Sequence, residues 1–183
     1  MTFWDWIALI TGVLGVLLTI FESIWCWPMA LISVIISGYT FFNQRLFGDF
    51  GLQIFYFISG IYGWLYWNKK KGKVFTVTQM PIKWFLPIVM SILVQSIIYY
   101  YLLCYFKSDQ ILFDAILTSF SFTCTFMMAK KWLENWILWV VIDAAYIFLY
   151  LIKDLPTYAL LYGFFSLMAL YGFYSWKKQL IIK

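Results

Sequence analysis

The chain contains no histidine and little charge, because Asp, Glu, Lys and Arg make up only 11% of its 183 residues, against roughly 25% in ordinary soluble domains. Without histidine, a His-based metal site, a histidine general base and Ser-His or Cys-His catalysis are all excluded. Hydrophobic residues account for 64% of the chain, and they recur in apolar runs of about 18 to 22 residues, the length of a membrane-spanning helix. The sequence therefore predicts a polytopic membrane protein and excludes a soluble globule.

Cysteine is also scarce. Cys26, Cys104 and Cys124 lie far apart and show no CxxC spacing, so neither a disulfide framework nor a thiolate metal site is indicated.

A GxxxxGK phosphate-binding loop is absent as well, which excludes ATP-driven transport within this chain. We expect no metal, no cofactor and no catalytic residue, and interpret the protein as a non-enzyme. The net charge of +5 indicates loop orientation signals rather than a nucleic-acid surface.

Seven spans are predicted where the chain is divided at clusters of charge, proline, glycine and asparagine. They cover residues 3–21, 25–42, 48–67, 84–106, 111–129, 135–152 and 156–176. Ten Lys residues, including Lys69, Lys131 and Lys178, fall on one side of this arrangement, and three Lys or Arg residues fall on the other. Because short positively charged loops stay in the cytoplasm, we predict a multi-pass protein of the bacterial inner membrane with its N-terminus outside and its C-terminus in the cytoplasm.

An internal repeat appears when the sequence is aligned with itself at an offset of 109 residues. Trp27 then aligns with Trp136, Gly63 with Gly172, and Trp67 with Trp176. The first three and last three spans are therefore interpreted as copies. One helix lies between them, so both copies enter the membrane from the same side as a parallel repeat.

This repeat predicts an all-α fold of seven transmembrane helices in a 3+1+3 arrangement. Residues 1–72 form the first three-helix bundle, 73–108 the loop and linking helix, and 109–183 the second bundle. Parallel repeats of this kind are typical of transporters that bind substrate near mid-membrane between the halves. The alternative is a duplication without transport.

Asp143 is the clearest functional candidate. It lies about 12 Å from either end of the sixth span, where a charged side chain costs about 2.5 to 3.5 kcal/mol on insertion. Trp136, Trp139, Asp143, Tyr146 and Tyr150 follow one another at spacings of 3, 4, 3 and 4 and share one helix face. Such a face could hold a flat, cationic, aromatic ligand. The alternative is that the stripe packs against other helices and Asp143 is protonated or bonded to a neighbouring hydroxyl.

Three further polar residues remain open in function. Gln53 in the third span could reach the same depth as Asp143, but a helix-to-helix hydrogen bond worth about 0.6 kcal/mol is the simpler interpretation. Asn43 is expected in a solvated outer turn. Asp114, about one turn into the fifth span, is compatible with a helix cap or with the lining of an outer vestibule.

Two segments resemble the Pnu family of bacterial vitamin transporters, whose members carry nicotinamide riboside or thiamine. They are GLQIFYFISGIYGWLYW and ENWILWVVIDAAYIFLY, and the second is similar to the family signature W-x-x-W-x-x-x-N/D at Trp136, Trp139 and Asp143. The resemblance implies a SWEET-like fold of two three-helix bundles around a linking helix. It also implies passive uptake of a small-molecule vitamin, which a cytoplasmic kinase traps. By this resemblance Gln53 joins the signature residues as a substrate contact, and Tyr146 is added as their neighbour on the same face.

The choice of vitamin depends on Asp143, where nicotinamide riboside transporters of the family typically have Asn. An ionised carboxylate only accepts hydrogen bonds and suits an exocyclic amine beside a fixed positive charge. Thiamine has both features, so it is expected first, with nicotinamide riboside as the alternative. A structural or sensory membrane subunit is the rival from another class, and a homo-oligomer remains open.

Overall fold

Seven α-helices make up the computed structural model, which describes residues 3–43, 47–71, 75–106, 111–152 and 156–181. The helices are α1 (Phe3–Ile20), α2 (Cys26–Asn43), α3 (Phe47–Lys69), α4 (Phe85–Phe106), α5 (Ile111–Ala129), α6 (Asn135–Ile152) and α7 (Pro156–Ile181), with a 3₁₀ turn at Ile82–Trp84 before α4. The predicted all-helical, seven-helix fold is confirmed. Within the described residues, α2, α4, α5, α6 and α7 are long and apolar enough to cross a membrane, and residues 6–20 of α1 form a shorter apolar helix.

Six of the helices form a closed ring. α1 packs on α2, α2 on α3, α3 on α5, α5 on α6, α6 on α7, and α7 returns to α1. α4 lies outside this helix ring, against α5 and α3. Shifting the bounds of α2 by 109 residues gives those of α6, so α1, α2 and α3 correspond to α5, α6 and α7. The contact between α3 and α5 therefore corresponds to the contact between α7 and α1.

α1 and α5 end in the same way, one in each half. Glu22 and Lys131 follow the two helices with φ angles of 54° and 55°. The N–H of Glu22 donates to the Thr19 carbonyl and that of Ser23 to the Leu18 carbonyl. The same pair of bonds recurs 109 residues later, after α5. These bonds satisfy carbonyls that the end of a helix leaves free, in the geometry of a Schellman motif.

Tryptophans connect the halves at one end of the helix ring, where α1, α3, α5 and α7 terminate. We call it the lysine-rich end, after Lys69, Lys130, Lys131 and Lys178. The indole N–H of Trp67 donates to the Ala129 carbonyl at 3.0 Å, and that of Trp176 donates to the Ile20 carbonyl at 3.2 Å. Each bond links the last helix of one half to the first helix of the other. The side of the membrane that this end faces stays a prediction.

Candidate functional site

The Asp143 side chain lies inside the helix ring and not against the surrounding lipid. The residue is 5% exposed, eight residues from the start of α6 and nine from its end. Its carboxylate is close enough to Cys124 of α5 and Tyr162 of α7 to act on both electrostatically. In the described part of the chain the one ion pair joins Glu22 to Lys131, so Asp143 has no basic partner there. A ligand with positive charge would compensate this carboxylate.

A tyrosine cluster lies beside Asp143 toward the end of the ring opposite the lysines. It consists of Tyr146 and Tyr150 on α6 and Tyr162 on α7, whose ring is 4.6 Å from that of Tyr146 and 5.4 Å from that of Tyr150. Tyr162 also interacts with Tyr56 of α3, and the Tyr56 hydroxyl contacts Ser121 of α5. The cluster therefore brings aromatic and hydroxyl groups from both halves to the level of the carboxylate.

Trp139 lies one helical turn from Asp143 on the other side, toward the lysine-rich end. It is half-buried and packs between two apolar clusters, one with Cys124 and Ile142 and the other with Trp136 and Trp176. Its buried indole N–H finds no hydrogen-bond acceptor among the residues that the structure describes. Buried donors are normally paired, but the indole N–H groups of Trp27 and Trp136 are unpaired as well, so the Trp139 N–H alone does not mark a ligand contact. The carboxylate thus has an aromatic residue on either side along α6.

Trp136 shares the helix face with Asp143 but lies two turns away, in the packing between α6 and α7. It is 1% exposed, and its indole is 5.3 Å from that of Trp176 in an edge-to-face arrangement. In the first half, Trp27 is packed against Trp67 in the same way, at 5.6 Å. Trp27 has no acidic neighbour at the position equivalent to Asp143, which is Val34. Packing of the helices thus accounts for the burial of both tryptophans.

Gln53 is half-buried in α3, where its side chain packs against Gly38 of α2: a methyl group on Gly38 would lie 3.4 Å from the Gln53 Cβ. The repeat places Gln53 of α3 and Tyr162 of α7 at equivalent positions in the two halves. On α3 itself, Gln53 lies one helical turn before Tyr56, and Tyr56 interacts with Tyr162.

The other two candidates lie near helix ends. Asn43 is exposed at the last position of α2, and Asp114 is half-buried in the first turn of α5. No group of three His, Cys, Asp or Glu side chains suited to a metal ion occurs among the described residues.

The sequence patterns did not identify Tyr162 and Tyr56 as candidate site residues, although the internal repeat contained a signal for Tyr162. At the offset of 109 residues, Tyr162 aligns with the candidate Gln53, so its depth and face followed from the repeat. Tyr56 could have been found one turn after Gln53 on the same helix.

A large groove elsewhere on the molecule does not include these residues. It has a volume of about 940 Å³ and lies outside the helix ring, where apolar side chains such as Ile92, Ile97 and Ile116 of α4 and α5 surround it. Apolar surface on the outside of a membrane-spanning bundle is what lipid tails solvate. The candidate site is therefore the buried Asp143 carboxylate and its neighbours inside the helix ring.

A ring of two three-helix halves around a buried acid and aromatic residues is the architecture of a membrane transport protein with its site between the halves. Residues 2–178 match the family described as nicotinamide mononucleotide transporter. The chain belongs to this family, the Pnu family of vitamin transporters that the resemblance indicated.

Individual relatives are distant but match along most of their length. The nicotinamide riboside transporter PnuC of Escherichia coli is 24% identical over 93% of this chain and 83% of its own. The proteins of the same name from Haemophilus influenzae and Neisseria mucosa are 22% and 24% identical, each over 95% of this chain and over 80% and 73% of their own. A crystal structure of the vitamin B3 transporter PnuC is similar with a TM-score of 0.76 at 22% identity, over 96% of this chain and 80% of that one. This likeness shows the shared fold.

Proposed function

We propose that the protein mediates uptake of nicotinamide riboside across the bacterial inner membrane by facilitated diffusion, with its N-terminus outside and its lysine-rich end in the cytoplasm. The observation that carries this proposal is the Asp143 carboxylate, which lies inside the helix ring among aromatic residues of α6 and α7 and has no basic partner in the described part of the chain. A carboxylate at that depth is costly unless another charge compensates it.

Nicotinamide riboside matches this site in charge and shape. Its pyridinium ring is flat and carries a fixed positive charge, which Asp143 would balance and which aromatic faces attract. Trp139, one turn from the carboxylate toward the lysine-rich end, and Tyr146, one turn from it in the other direction, would stack on the ring. The unpaired indole N–H of Trp139 could donate to the carboxamide oxygen or to a ribose oxygen.

The expectation of thiamine as the first choice finds no support among the relatives described above, since the three bacterial proteins are named for nicotinamide riboside and the crystal structure for vitamin B3. The prediction of thiamine was too narrow, because it treated an exocyclic amine as the one kind of hydrogen-bond donor that suits the Asp143 carboxylate. The carboxamide N–H and the ribose hydroxyls of nicotinamide riboside are donors as well, so a carboxylate serves this vitamin equally.

Gln53 would contribute an amide from the first half, so that the substrate contacts both halves. Trp136 would support the site by fixing α6 against α7, one turn from Trp139 toward the lysine-rich end.

A cytoplasmic kinase that phosphorylates the vitamin would trap it, because the phosphorylated product gains negative charge. The inward gradient of the free vitamin would then persist without energy input from the transporter.

Binding and exchange by the purified protein test the proposal. We expect titration calorimetry to show tight binding of nicotinamide riboside and weaker or no binding of thiamine. We also expect proteoliposomes loaded with unlabelled nicotinamide riboside to take up the labelled vitamin from outside by counterflow. Tight binding of thiamine with none of nicotinamide riboside would overturn the substrate, and an absence of counterflow with either vitamin would overturn transport.

Two variants link the activity to the site. Asp143→Ala is expected to lose binding while the protein remains folded, because the ligand's charge loses its counter-ion. Ser119→Ala is the matched control: Ser119 is also fully buried at membrane depth, but its hydroxyl donates to the Ala115 carbonyl of its own helix at 2.7 Å. Normal binding by Asp143→Ala would remove this carboxylate from the site.

A further inference from the structure

Glu22 and Lys131 occupy the same position in the two halves, 109 residues apart. Each lies two residues after the last residue of its helix, α1 or α5, with a φ angle near 55°. Glycine is the residue that adopts this conformation without steric cost, and it is the usual residue at this point of a Schellman motif. Both positions therefore carry a side chain although the backbone conformation there favours glycine. The two side chains have opposite charge.

The two side chains form an ion pair that joins the halves. The Lys131 Nζ lies 2.6 Å from a carboxylate oxygen of Glu22, and the side chains are only 8% and 17% exposed. The ammonium also donates to the Phe75 carbonyl at 3.2 Å and lies over the rings of Trp67 and Phe75 at 4.6 and 4.8 Å. A pair so enclosed is screened by salt much less than one at the surface.

The described residues 75–78, which precede α4 in the chain, pack at the same end of the helix ring. Val77 is 2% exposed and packs in one cluster with Ile20, Leu133 and Trp176. Thr78 exchanges backbone hydrogen bonds with the chain on either side of Trp132: its N–H donates to the Lys131 carbonyl, and its carbonyl accepts from Leu133. The ion pair thus lies beside a buried apolar cluster at the lysine-rich end.

We propose that the Glu22–Lys131 ion pair is the latch of a gate at the lysine-rich end. The pair is formed while the site is closed to this side, and it breaks when the halves separate so that substrate can pass. Because each half supplies one partner, a movement that parts the end of α1 from the end of α5 cannot preserve the contact. The inference rests on the proposed function only in requiring that the two halves alternate between a closed and an open arrangement at this end. It does not depend on which vitamin is carried.

Cys124 provides a native reporter of this opening. It is fully buried beside Asp143, so a membrane-impermeant thiol reagent reaches it only when the interior of the helix ring opens. Cys26→Ala and Cys104→Ala leave it as the single cysteine, and a further Cys124→Ala variant supplies the blank. The rate of modification is measured in nanodiscs and then in proteoliposomes of each orientation, with reagent outside and no vitamin present.

Removing both charges tests the latch without leaving one of them buried and unpaired, the situation that destabilises a fold most. In the Glu22→Gln/Lys131→Met variant we expect Cys124 to be modified about tenfold faster from the lysine-rich side. The Lys131→Arg variant, which keeps the positive charge and a donor for the Phe75 carbonyl, is expected to keep modification slow. Lys177→Met, which removes an exposed lysine at the same end, is expected to leave the rate unchanged.

The proposal is overturned if the doubly neutral variant, folded by its circular dichroism and thermal transition, is modified at the parent rate. It is also overturned if Lys131→Arg is modified as fast as the neutral variant, because a latch requires opposite charges and Lys131→Arg keeps them. Failure of nicotinamide riboside to bind would count against the proposed function alone, because labelling is measured without it.

Discussion

Gly172 of α7 lies directly against the indole of Trp136 on α6. A methyl group on this glycine would come within 2.8 Å of three indole carbons. The first half repeats the arrangement, with Gly63 of α3 so close to Trp27 that a methyl group would lie 2.2 Å from its ring. In both halves the absence of a side chain on the third helix lets a tryptophan of the second helix fill the space between them.

We expect Gly172→Ala to lower the stability of the protein. Overpacking of this kind costs about 1 to 3 kcal/mol, which exceeds the gain of about 0.5 to 1 kcal/mol from replacing glycine by alanine within a helix. Gly163→Ala is the matched control on the same helix, because a methyl group there meets nothing within 4 Å. Thermal unfolding in detergent should show a lower Tm for Gly172→Ala and an unchanged or slightly higher Tm for Gly163→Ala. Equal transitions for the two variants would contradict the close packing.

Much of the fold could be predicted because membrane spans are set by length and hydropathy, which a sequence displays directly. The predicted span 135–152 coincides with α6, and the repeat found from Trp67 and Trp176 reappears as equivalent hydrogen bonds across the halves. Periodicity assigned Trp136 and Asp143 to one helix face, but it could not tell which neighbour that face meets at each depth. The packing of Trp136 against Gly172 was therefore visible only in three dimensions.

Charged residues at the helix ends show the same limit. Lys131 counts among the ten Lys residues that predict the topology, and Glu22 indicates no function by itself, because each is ordinary for a loop when considered alone. Their relation lies in the offset of 109 residues, which places opposite charges at equivalent positions. Equivalent residues of a repeat meet only where they lie close to the axis that relates the two halves, and the contact between Glu22 and Lys131 shows that these two do so.

Trp139 and Trp136 should respond differently to truncation. Trp139→Ala is expected to weaken nicotinamide riboside binding by about 1 to 3 kcal/mol if its indole stacks on the ligand, by analogy with base stacking, with a smaller effect on Tm. Trp136→Ala is expected to lower the free energy of unfolding by about 3 to 5 kcal/mol through the cavity it leaves. Calorimetric titration and thermal unfolding of both variants separate the two effects.

Trp64→Ala serves as the control for these tryptophans, since Trp64 is 41% exposed on α3. Trp139→Phe adds a finer comparison, because it keeps an aromatic face and removes the indole N–H. If Trp139→Ala lowers Tm as much as Trp136→Ala does and leaves affinity intact, Trp139 is a packing residue and not a ligand contact.

Gln53→Leu should weaken binding of nicotinamide riboside severalfold, since a net contribution of about 0.5 to 1.5 kcal/mol is typical of one hydrogen bond. Gln95→Leu makes the same chemical change on α4, outside the helix ring, where the Gln95 amide donates to the Ser91 hydroxyl at 2.6 Å. We expect this control to bind like the parent protein. Equal affinities for Gln53→Leu and Gln95→Leu would leave Gln53 with its packing against Gly38 alone.

Facilitated diffusion predicts which gradients move the vitamin into proteoliposomes. With the membrane potential clamped at zero by potassium and valinomycin, a pH gradient should cause no accumulation, because the proposed cycle transfers no proton. A negative potential inside should cause accumulation of about tenfold per 60 mV, since one positive charge crosses with each molecule while the Asp143 charge stays in the protein. Accumulation driven by the pH gradient alone would instead show that a proton moves with the vitamin, and Asp143 would be the first carboxylate to examine as its carrier.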